Sequence, residues 1–370
     1  MNSREFLEKI FDSADVKING NRPWDIKVYN DKFYNRIIAE GILGLGESYM
    51  DGWWDCQELD TMIYKVVSTG GERKLPKTLK TALHVLKSKI FNLQTKTRSR
   101  KVAEEHYNLG NDLYMAFLDP YNQYTCGYFK DTNDLGKAQE NKLHLICRKL
   151  QLKPTDKVLD IGCGWGGFSK YASKNYGCHV TGISISDEQI KYAKEFTKGE
   201  RVEILHMDYR DLKGVYDKVL ICGMVEHVGY KNYRKIIEIV KNHLSSNGLF
   251  LLHTIGSSYS LTTNSPFASK YIFQNSMAPS IKQISSASDG LFVIEDVHNF
   301  GQYYDPTVMA WWKNFDKSWP KFKSQYSERF YKMFKFYLLS CAGLFRAKDL
   351  QLYQIVFSPN GVIGGYESIR

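Results

Sequence analysis

After Lys157 the chain repeats one pattern, apolar runs of strand length separated by segments with helical spacing. The runs fall at residues 158–161, 179–183, 202–205, 218–222 and 249–254. Few folds accommodate this, because successive parallel strands need crossover connections, and those crossovers lay helices on both faces of a sheet. The pattern predicts a doubly wound α/β sheet, with ligands at the carboxyl ends of its strands. Later runs at 291–297 and 350–357 supply two more strands, expected as a terminal hairpin pair, for seven in all. Residues 1 to about 70 read instead as short helices and turns, broken by Asn19-Gly20-Asn21-Arg22-Pro23 and by Gly41, Gly44 and Gly46. The expected division is a small, mostly helical N-terminal domain at 1–72, a basic amphipathic helix and linker at 73–101, and an α/β domain at 102–370. A chain of 370 residues with 43% hydrophobic content can fill both cores.

The sharpest motif is Val158-Leu159-Asp160-Ile161-Gly162-Cys163-Gly164-Trp165-Gly166-Gly167, a strand that enters a glycine turn and then a helix. Gly162, Gly164 and Gly167 also spell GxGxxG, so a nicotinamide-dependent dehydrogenase must be weighed. Two features favour S-adenosylmethionine instead. Asp160 stands before the first glycine, where methyltransferases carry an acid. The second strand ends in Ile183-Ser184-Ile185-Ser186 with no ribose-binding acid, and Asp187 falls at a helix start, where capping accounts for it. On this reading Gly162 and Gly164 admit the methionine portion, and Asp160 faces its ammonium or the amides of the turn. Ser184 and Gln189 hold the ribose. Asp208-Tyr209-Arg210 meets the adenine, the acid at its amine and the ring by packing. Each has a plainer rival: Asp208 as a turn cap, Tyr209 as core.

Net charge is +10, and its position is more informative than its size. From Arg73 to Lys101 there are ten Lys and Arg and no acid, so the rest of the chain balances at 40 basic against 40 acidic residues. Leu79, Leu83, Leu86 and Ile90 keep helical spacing there, while Lys77, Lys80 and Lys87 fall on other faces, as in a basic amphipathic helix. Anionic lipid and nucleic acid are the candidate partners, with a solvated surface helix as the plain alternative. No zinc-finger, RNA-recognition or homeodomain pattern accompanies the patch, so nucleic acid is not expected. The seven cysteines, an odd number without CxxC pairing, suggest neither a disulfide framework nor a metal site. No long uncharged apolar run or signal peptide is visible, which leads to the expectation of a cytoplasmic protein.

Two polar clusters follow the fourth and fifth strands: Gly223-Met224-Val225-Glu226-His227-Val228-Gly229 and Leu252-His253-Thr254-Ile255-Gly256. With them the sequence resembles the bacterial cyclopropane-fatty-acyl-phospholipid synthases over essentially its whole length. The resemblance also rests on Leu43-Gly44-Leu45-Gly46-Glu47-Ser48-Tyr49-Met50-Asp51-Gly52-Trp53-Trp54 and Glu105-His106-Tyr107-Asn108-Leu109-Gly110-Asn111-Asp112. It continues in Gln123-Tyr124-Thr125-Cys126-Gly127-Tyr128, Tyr209-Arg210-Asp211-Leu212, Phe300-Gly301 with Tyr304-Asp305, and Cys341-Ala342-Gly343-Leu344-Phe345-Arg346. One departure stands at Gln274-Asn275-Ser276-Met277-Ala278-Pro279, where the family is expected to have a Pro-Asn-Gly-like turn.

The resemblance implies a seven-stranded class I methyltransferase (Rossmann-like) domain that moves the methyl carbon of S-adenosylmethionine onto the cis double bond of an unsaturated phospholipid chain. The product is a cyclopropane. It implies a bicarbonate ion held by Cys126, Glu226, His253, Ile255 and Tyr304, and it adds Tyr124, Thr125 and Ile185 to the cofactor set. The chemistry is intelligible. A sulfonium methyl is already a strong electrophile, so positioning is most of the task. The resulting carbocation loses so acidic a proton that a weak base suffices. Glu226 would accept the hydroxyl of bicarbonate, while His253, Tyr304 and amides near Cys126 and Ile255 donate to its oxygens. Tyr124, Tyr128, Phe129, Tyr303, Trp311, Trp312 and Phe315 are candidates to face the cation and exclude water, though most aromatic residues are expected to be core. Cys341 matches a cysteine assigned a catalytic role in the family, but the reaction needs no thiol and buried cysteine is commonly packing. The family further implies a homodimer associated peripherally with the inner face of an anionic membrane. Two other readings stay open: a related lipid methyltransferase with a branched or oxygenated product, and a non-catalytic lipid-binding protein.

Overall fold

The computed structural model describes residues 2–75, 86, 88, 92, 94, 96 and 110–370. Lys77, Lys80 and Lys87, with nearly all of the expected basic helix and the 105–109 part of the Glu105-His106 motif, lie outside the described residues. The chain forms two compact units. One comprises residues 1–91, 262–274 and 304–350, the other residues 92–261, 275–303 and 351–370. The units are therefore not consecutive pieces of sequence.

The second unit holds the sheet. Its strands are β1 (Lys157–Ile161), β2 (His179–Ser184), β3 (Val202–His206), β4 (Tyr216–Cys222), β5 (Leu244–Ser257), β6 (Val293–Asn299) and β7 (Leu350–Ser358), in the order β3-β2-β1-β4-β5-β7-β6. β1 pairs in parallel with β2 and β4, β2 with β3, and β4 with β5, while β6 and β7 are antiparallel. The expected terminal hairpin is corrected. β6 and β7 do pair, but long helices separate them in sequence, and β7 lies between β5 and β6. An antiparallel register can be closed by distant segments as well as by a tight turn, and the apolar runs alone do not distinguish the two.

Side chains alternate across a strand, and both faces of this sheet are covered. Leu159, Ile161, Val219, Ile221, Phe250 and Leu252 pack on one face with Tyr233, Ile236, Ile237 and Val240 of the helix Tyr233–His243. Val158, Leu220, Leu249, Leu251 and Val356 pack on the other with Leu143, Ile146 and Cys147 of the helix Leu135–Lys149 and with Phe168 and Ala172 of the helix Gly167–Tyr176. That alternation decides the site. On β1 Asp160 shares the face of Val158, and on β5 His253 shares the face of Leu249 and Leu251. Gln354 on β7 shares the face of Val356. Polar groups are thereby committed to a buried face before any ligand is considered.

The first unit is helical, with Ser3–Ser13, Lys32–Glu40, Ile42–Met50, Leu59–Ser68, Tyr304–Ser318 and Glu328–Arg346 as its principal helices. Phe33, Tyr49, Trp54 and Phe336 pack ring against ring in its core, tilted or edge-on. Gly343 lets one helix approach another: a Cβ there would meet the Asp60 carbonyl at 2.7 Å. Arg346 bonds both Asp305 and Asp60 at 2.8 Å. Among the described residues no helix is long and apolar enough to cross a membrane.

Candidate active site

Parallel strands bring their carboxyl ends to one edge, and most of the polar residues expected at the site come from loops at that edge. The first loop is the glycine turn. Gly162 has φ +81° and a Cβ there would meet the Met224 side chain at 2.8 Å, so both conformation and space demand glycine. A Cβ on Gly167 would overlap the Tyr121 carbonyl and the Gln123 amide, which explains the last glycine of GxGxxG by close packing. Asp160 is buried and accepts a hydrogen bond from the Ser169 hydroxyl at 2.8 Å. Burial pushes its carboxyl up to about 7, against the lowering effect of Ser169 and Lys142.

Ser184 and Gln189 are joined, the hydroxyl to Oε1 at 3.4 Å. Ser186, not Asp187, caps the helix Asp187–Phe196. At the end of β3, Asp208 accepts from the Arg210 amide and guanidinium at 3.0 Å each, and the guanidinium lies over the Tyr209 ring at 4.6 Å. The capping role weighed for Asp208 is thus present. Tyr209 is buried in the core beside the sheet, and its hydroxyl has no hydrogen-bond partner.

The loop carrying Tyr124, Thr125 and Cys126 is tied to the helix Leu135–Lys149. Gln139 donates to the Thr125 carbonyl at 2.8 Å. The fully buried Lys142 donates to the Thr125 hydroxyl at 2.9 Å and to the Gln123 amide oxygen. Tyr124 sits edge-on to Tyr114 at 5.3 Å, and Cys126 is fully buried. Gln139 and Lys142 escaped the sequence reading because a glutamine and a lysine on an amphipathic helix ordinarily mark its wet face. The one available signal was their i, i+3 spacing in line with Leu135 and Ile146 on the buried face.

Glu226 lies in the turn Val225–His227 after β4, where burial pushes its carboxyl up to about 7. Its Oε1 accepts from the Ile255 amide at 2.8 Å, and its own carbonyl accepts from the Met277 amide at 2.9 Å. The unusual 274–279 segment therefore helps fix the acid. A hydrogen bond from the Thr254 hydroxyl would oppose the carboxyl's upward shift, but that hydroxyl donates its one proton to the Ile255 carbonyl at 2.9 Å. Glu226 Oε2 is buried without a hydrogen-bond partner. His253 is also buried, and burial first, then Lys142 and Lys149, hold it well below its ordinary pKa, so it is neutral. Its Nδ1 is 3.2 Å from the Gln354 amide nitrogen, and its Nε2 has no partner. Ile255 thus differs from expectation: its amide is already given to Glu226. Gln354 went unnoticed in the sequence, although a glutamine inside Leu352-Tyr353-Gln354-Ile355-Val356-Phe357 is itself a signal.

Tyr128, Phe300 and Tyr303 form an edge-on cluster, and Phe300 touches the His253 ring edge-on at 5.9 Å. Tyr304 and Cys341 belong to the first unit. There Tyr304 stacks on Phe345 at 4.2 Å. Burial pushes the Cys341 thiol up to about 12, so it is not a thiolate at neutral pH. Trp311 and Phe315 are core residues of that unit.

Residues 94–355 match the family model for mycolic acid cyclopropane synthetase. The chain is 49% identical over 362 residues to the cyclopropane-fatty-acyl-phospholipid synthase of Escherichia coli K12, covering 98% of this chain and 94% of that one. It is 31% identical to sphingolipid C9-methyltransferase A of Emericella nidulans, covering 72% and 55%. Among solved structures it resembles mycolic acid cyclopropane synthase CmaA1 complexed with SAH and CTAB, with TM-score 0.65, 26% identity and coverage of 70% and 97%. Coclaurine N-methyltransferase, also with bound SAH, gives TM-score 0.70 at 19% identity, covering 86% and 99%, a likeness of fold alone.

Proposed function

Because this chain belongs to the mycolic acid cyclopropane synthetase family of S-adenosylmethionine-dependent methyltransferases, we propose that it cyclopropanates the cis double bonds of unsaturated acyl chains in membrane phospholipid, with bound bicarbonate as the base. S-adenosylmethionine supplies a methyl group made electrophilic by its sulfonium. The glycine turn with Asp160, Gly162 and Gly164, the Ser184-Ile185 and Gln189 pair of positions, Asp208-Tyr209-Arg210, and Tyr124 with Thr125 form its binding set. Their geometry suits it: the turn is open at Gly164, where a Cβ would meet nothing within 4 Å, and the flanking polar groups are already oriented by one another.

The observation that carries the base assignment is the pair of buried atoms without partners, Glu226 Oε2 and His253 Nε2. A buried polar atom left open costs about 1–3 kcal/mol, so a ligand that satisfies both is favoured. Bicarbonate offers one hydroxyl to an acceptor and oxygens to donors. Glu226 accepts the hydroxyl and His253 donates, with Cys126 completing the set. Ile255 acts through its amide by orienting the Glu226 carboxylate. Tyr128, Phe300 and Tyr303 keep water from the ion. Cys341 is assigned to packing. Residues 73–101 dock the enzyme on anionic lipid as a peripheral membrane protein, and the family's homodimer is carried over with them.

The test incubates purified protein with labelled S-adenosylmethionine and vesicles of unsaturated phosphatidylglycerol, in buffer stripped of carbonate and then replenished. Mass spectrometry should find cyclopropane chains, formed faster with added bicarbonate. Methyl-branched or oxygenated chains would favour the reading as a related lipid methyltransferase, and no response to rigorous depletion would remove bicarbonate.

A further inference from the structure

Gln354 serves no purpose as a strand residue. It occupies the middle of β7, it is fully buried, and its neighbours on the same face are apolar. Strand parity puts it on the sheet face it shares with His253, and its amide nitrogen lies 3.2 Å from His253 Nδ1 on the adjacent strand β5. Its amide oxygen has no partner. A buried amide held by one bond is costly, so the bond it makes should matter.

A neutral imidazole carries one N–H, and the partner of one ring nitrogen decides which nitrogen keeps it. An amide N–H donated to Nδ1 requires a lone pair there, and the proton then resides on Nε2. The reverse amide orientation would present oxygen to Nδ1–H and leave Nε2 as an acceptor. The chemistry of the other open atom separates the two. Glu226 Oε2 is itself an acceptor when ionised, and bicarbonate has a single hydroxyl to give. Two acceptors would compete for one proton, whereas an acceptor opposite a donor is satisfied by the ion as it stands.

We propose that Gln354 is a positioning residue that holds His253 in the Nε2–H tautomer, so that its unpartnered Nε2 is a fixed hydrogen-bond donor, complementary to the unpartnered oxygen of Glu226. The catalytic consequence rests on the bicarbonate reading; the tautomer itself does not. A merely structural glutamine would affect folding alone. A positioning one governs the ring proton and turnover together.

The full chain is labelled with ¹⁵N-histidine and examined without cofactor, lipid or carbonate by long-range ¹⁵N–¹H correlation, with His253→Asn to assign the signal. Wild type should show a protonated Nε2 and a bare Nδ1. Gln354→Glu replaces the donor by an acceptor, so the proton should move to Nδ1. Its kcat should fall roughly a hundredfold while the KM for S-adenosylmethionine stays within about twofold, since a reversed histidine tautomer has cost about 10⁴-fold elsewhere. Gln354→Met, close in shape, should give mixed tautomers and a loss of about tenfold, and it preserves the test if the glutamate variant does not fold. A wild-type signal from Nδ1–H overturns the proposal, as does a reversed tautomer with unchanged kcat. If tautomer and kcat change as expected but carbonate depletion has no effect, the Gln354 assignment stands and bicarbonate alone is excluded.

Discussion

Asp160 and Glu226 are both carboxylic acids buried near the ends of adjacent strands, and burial pushes each up to about 7. Their partners differ. Asp160 is held by Ser169, and around it the cofactor side is bonded to itself: Ser184 to Gln189, Asp208 to Arg210, Thr125 to Lys142. On the reaction side, Glu226, His253 and Gln354 are each anchored through one atom, and each leaves another open. The cofactor side is thus shaped in advance for a large ligand with many contacts. The reaction side keeps vacant hydrogen-bonding capacity suited to a small polar species. On the proposed function, the difference assigns ground-state binding to one side and chemistry to the other, and substitutions should divide the same way.

The largest expected effect is on turnover. Glu226→Gln keeps the shape of the side chain and removes the charge, so kcat should fall by roughly 10²–10⁴-fold, the range for losing an oriented base. Calorimetry should find S-adenosylmethionine affinity almost unchanged. A loss of affinity in proportion to activity would move Glu226 to the cofactor side and erase the division.

The same variant tests whether the reaction side stores strain. Glu226 is raised from 4.5 to about 7 in the folded protein, so the fold retains a proton that the unfolded chain releases. Its contribution to stability is fully present below pH 4.5 and is lost as pH rises to about 7, at about 1.4 kcal/mol per unit. Other groups titrate in this range, so the informative quantity is the difference from wild type. Glu226→Gln should gain up to about 3 kcal/mol relative to wild type between pH 4.5 and 7, then run parallel to it. Denaturant melts of both proteins without ligand at several pH values measure this. Parallel curves throughout would mean that the carboxyl ionises freely.

A smaller effect is expected across the site. Asp208→Ala removes the acceptor that orders Arg210, and the dissociation constant for S-adenosylmethionine should rise about tenfold, equal to 1.4 kcal/mol. At saturating cofactor, kcat should remain within about twofold. A large fall in kcat at saturation would show that the cofactor side also shapes the transition state.

How much of this could be read in advance follows from what each residue's neighbours are. The strands were legible because runs such as Val158-Leu159 and Leu249-Phe250-Leu251-Leu252 are buried on both sides and carry their own signature. The glycine turn and the acids beside it were legible because backbone approach and charge leave fixed spacings. Gln354 and Lys142 were not, since their roles depend on which distant strand or loop comes to face them. The grouping of residues 304–350 with the N-terminal helices was hidden for the same reason. Small residues such as Gly343 report that something packs closely, but not what. Asp208 shows the limit in the other direction, because one acid meets both the capping and the ligand reading until its partner is known.

The smallest effect concerns the segment that belongs to neither side. Residues 73–101 carry ten positive charges and no acid, and a basic residue near an anionic surface contributes up to about 1 kcal/mol, less when salt screens it. Replacing Lys77, Lys80 and Lys87 with Gln should therefore weaken sedimentation with anionic vesicles and raise the KM for vesicle substrate several-fold. Cofactor affinity and the turnover of detergent-dispersed lipid should be untouched, which makes the variant a control for both sides of the site. Raising salt should weaken wild-type sedimentation in the same way, because charges at a surface are screened beyond about 8 Å at physiological ionic strength. If the triple variant sediments and turns over like wild type at low salt, these lysines are a solvated face. Docking then rests on other residues, and lipid delivery must be sought outside the basic segment.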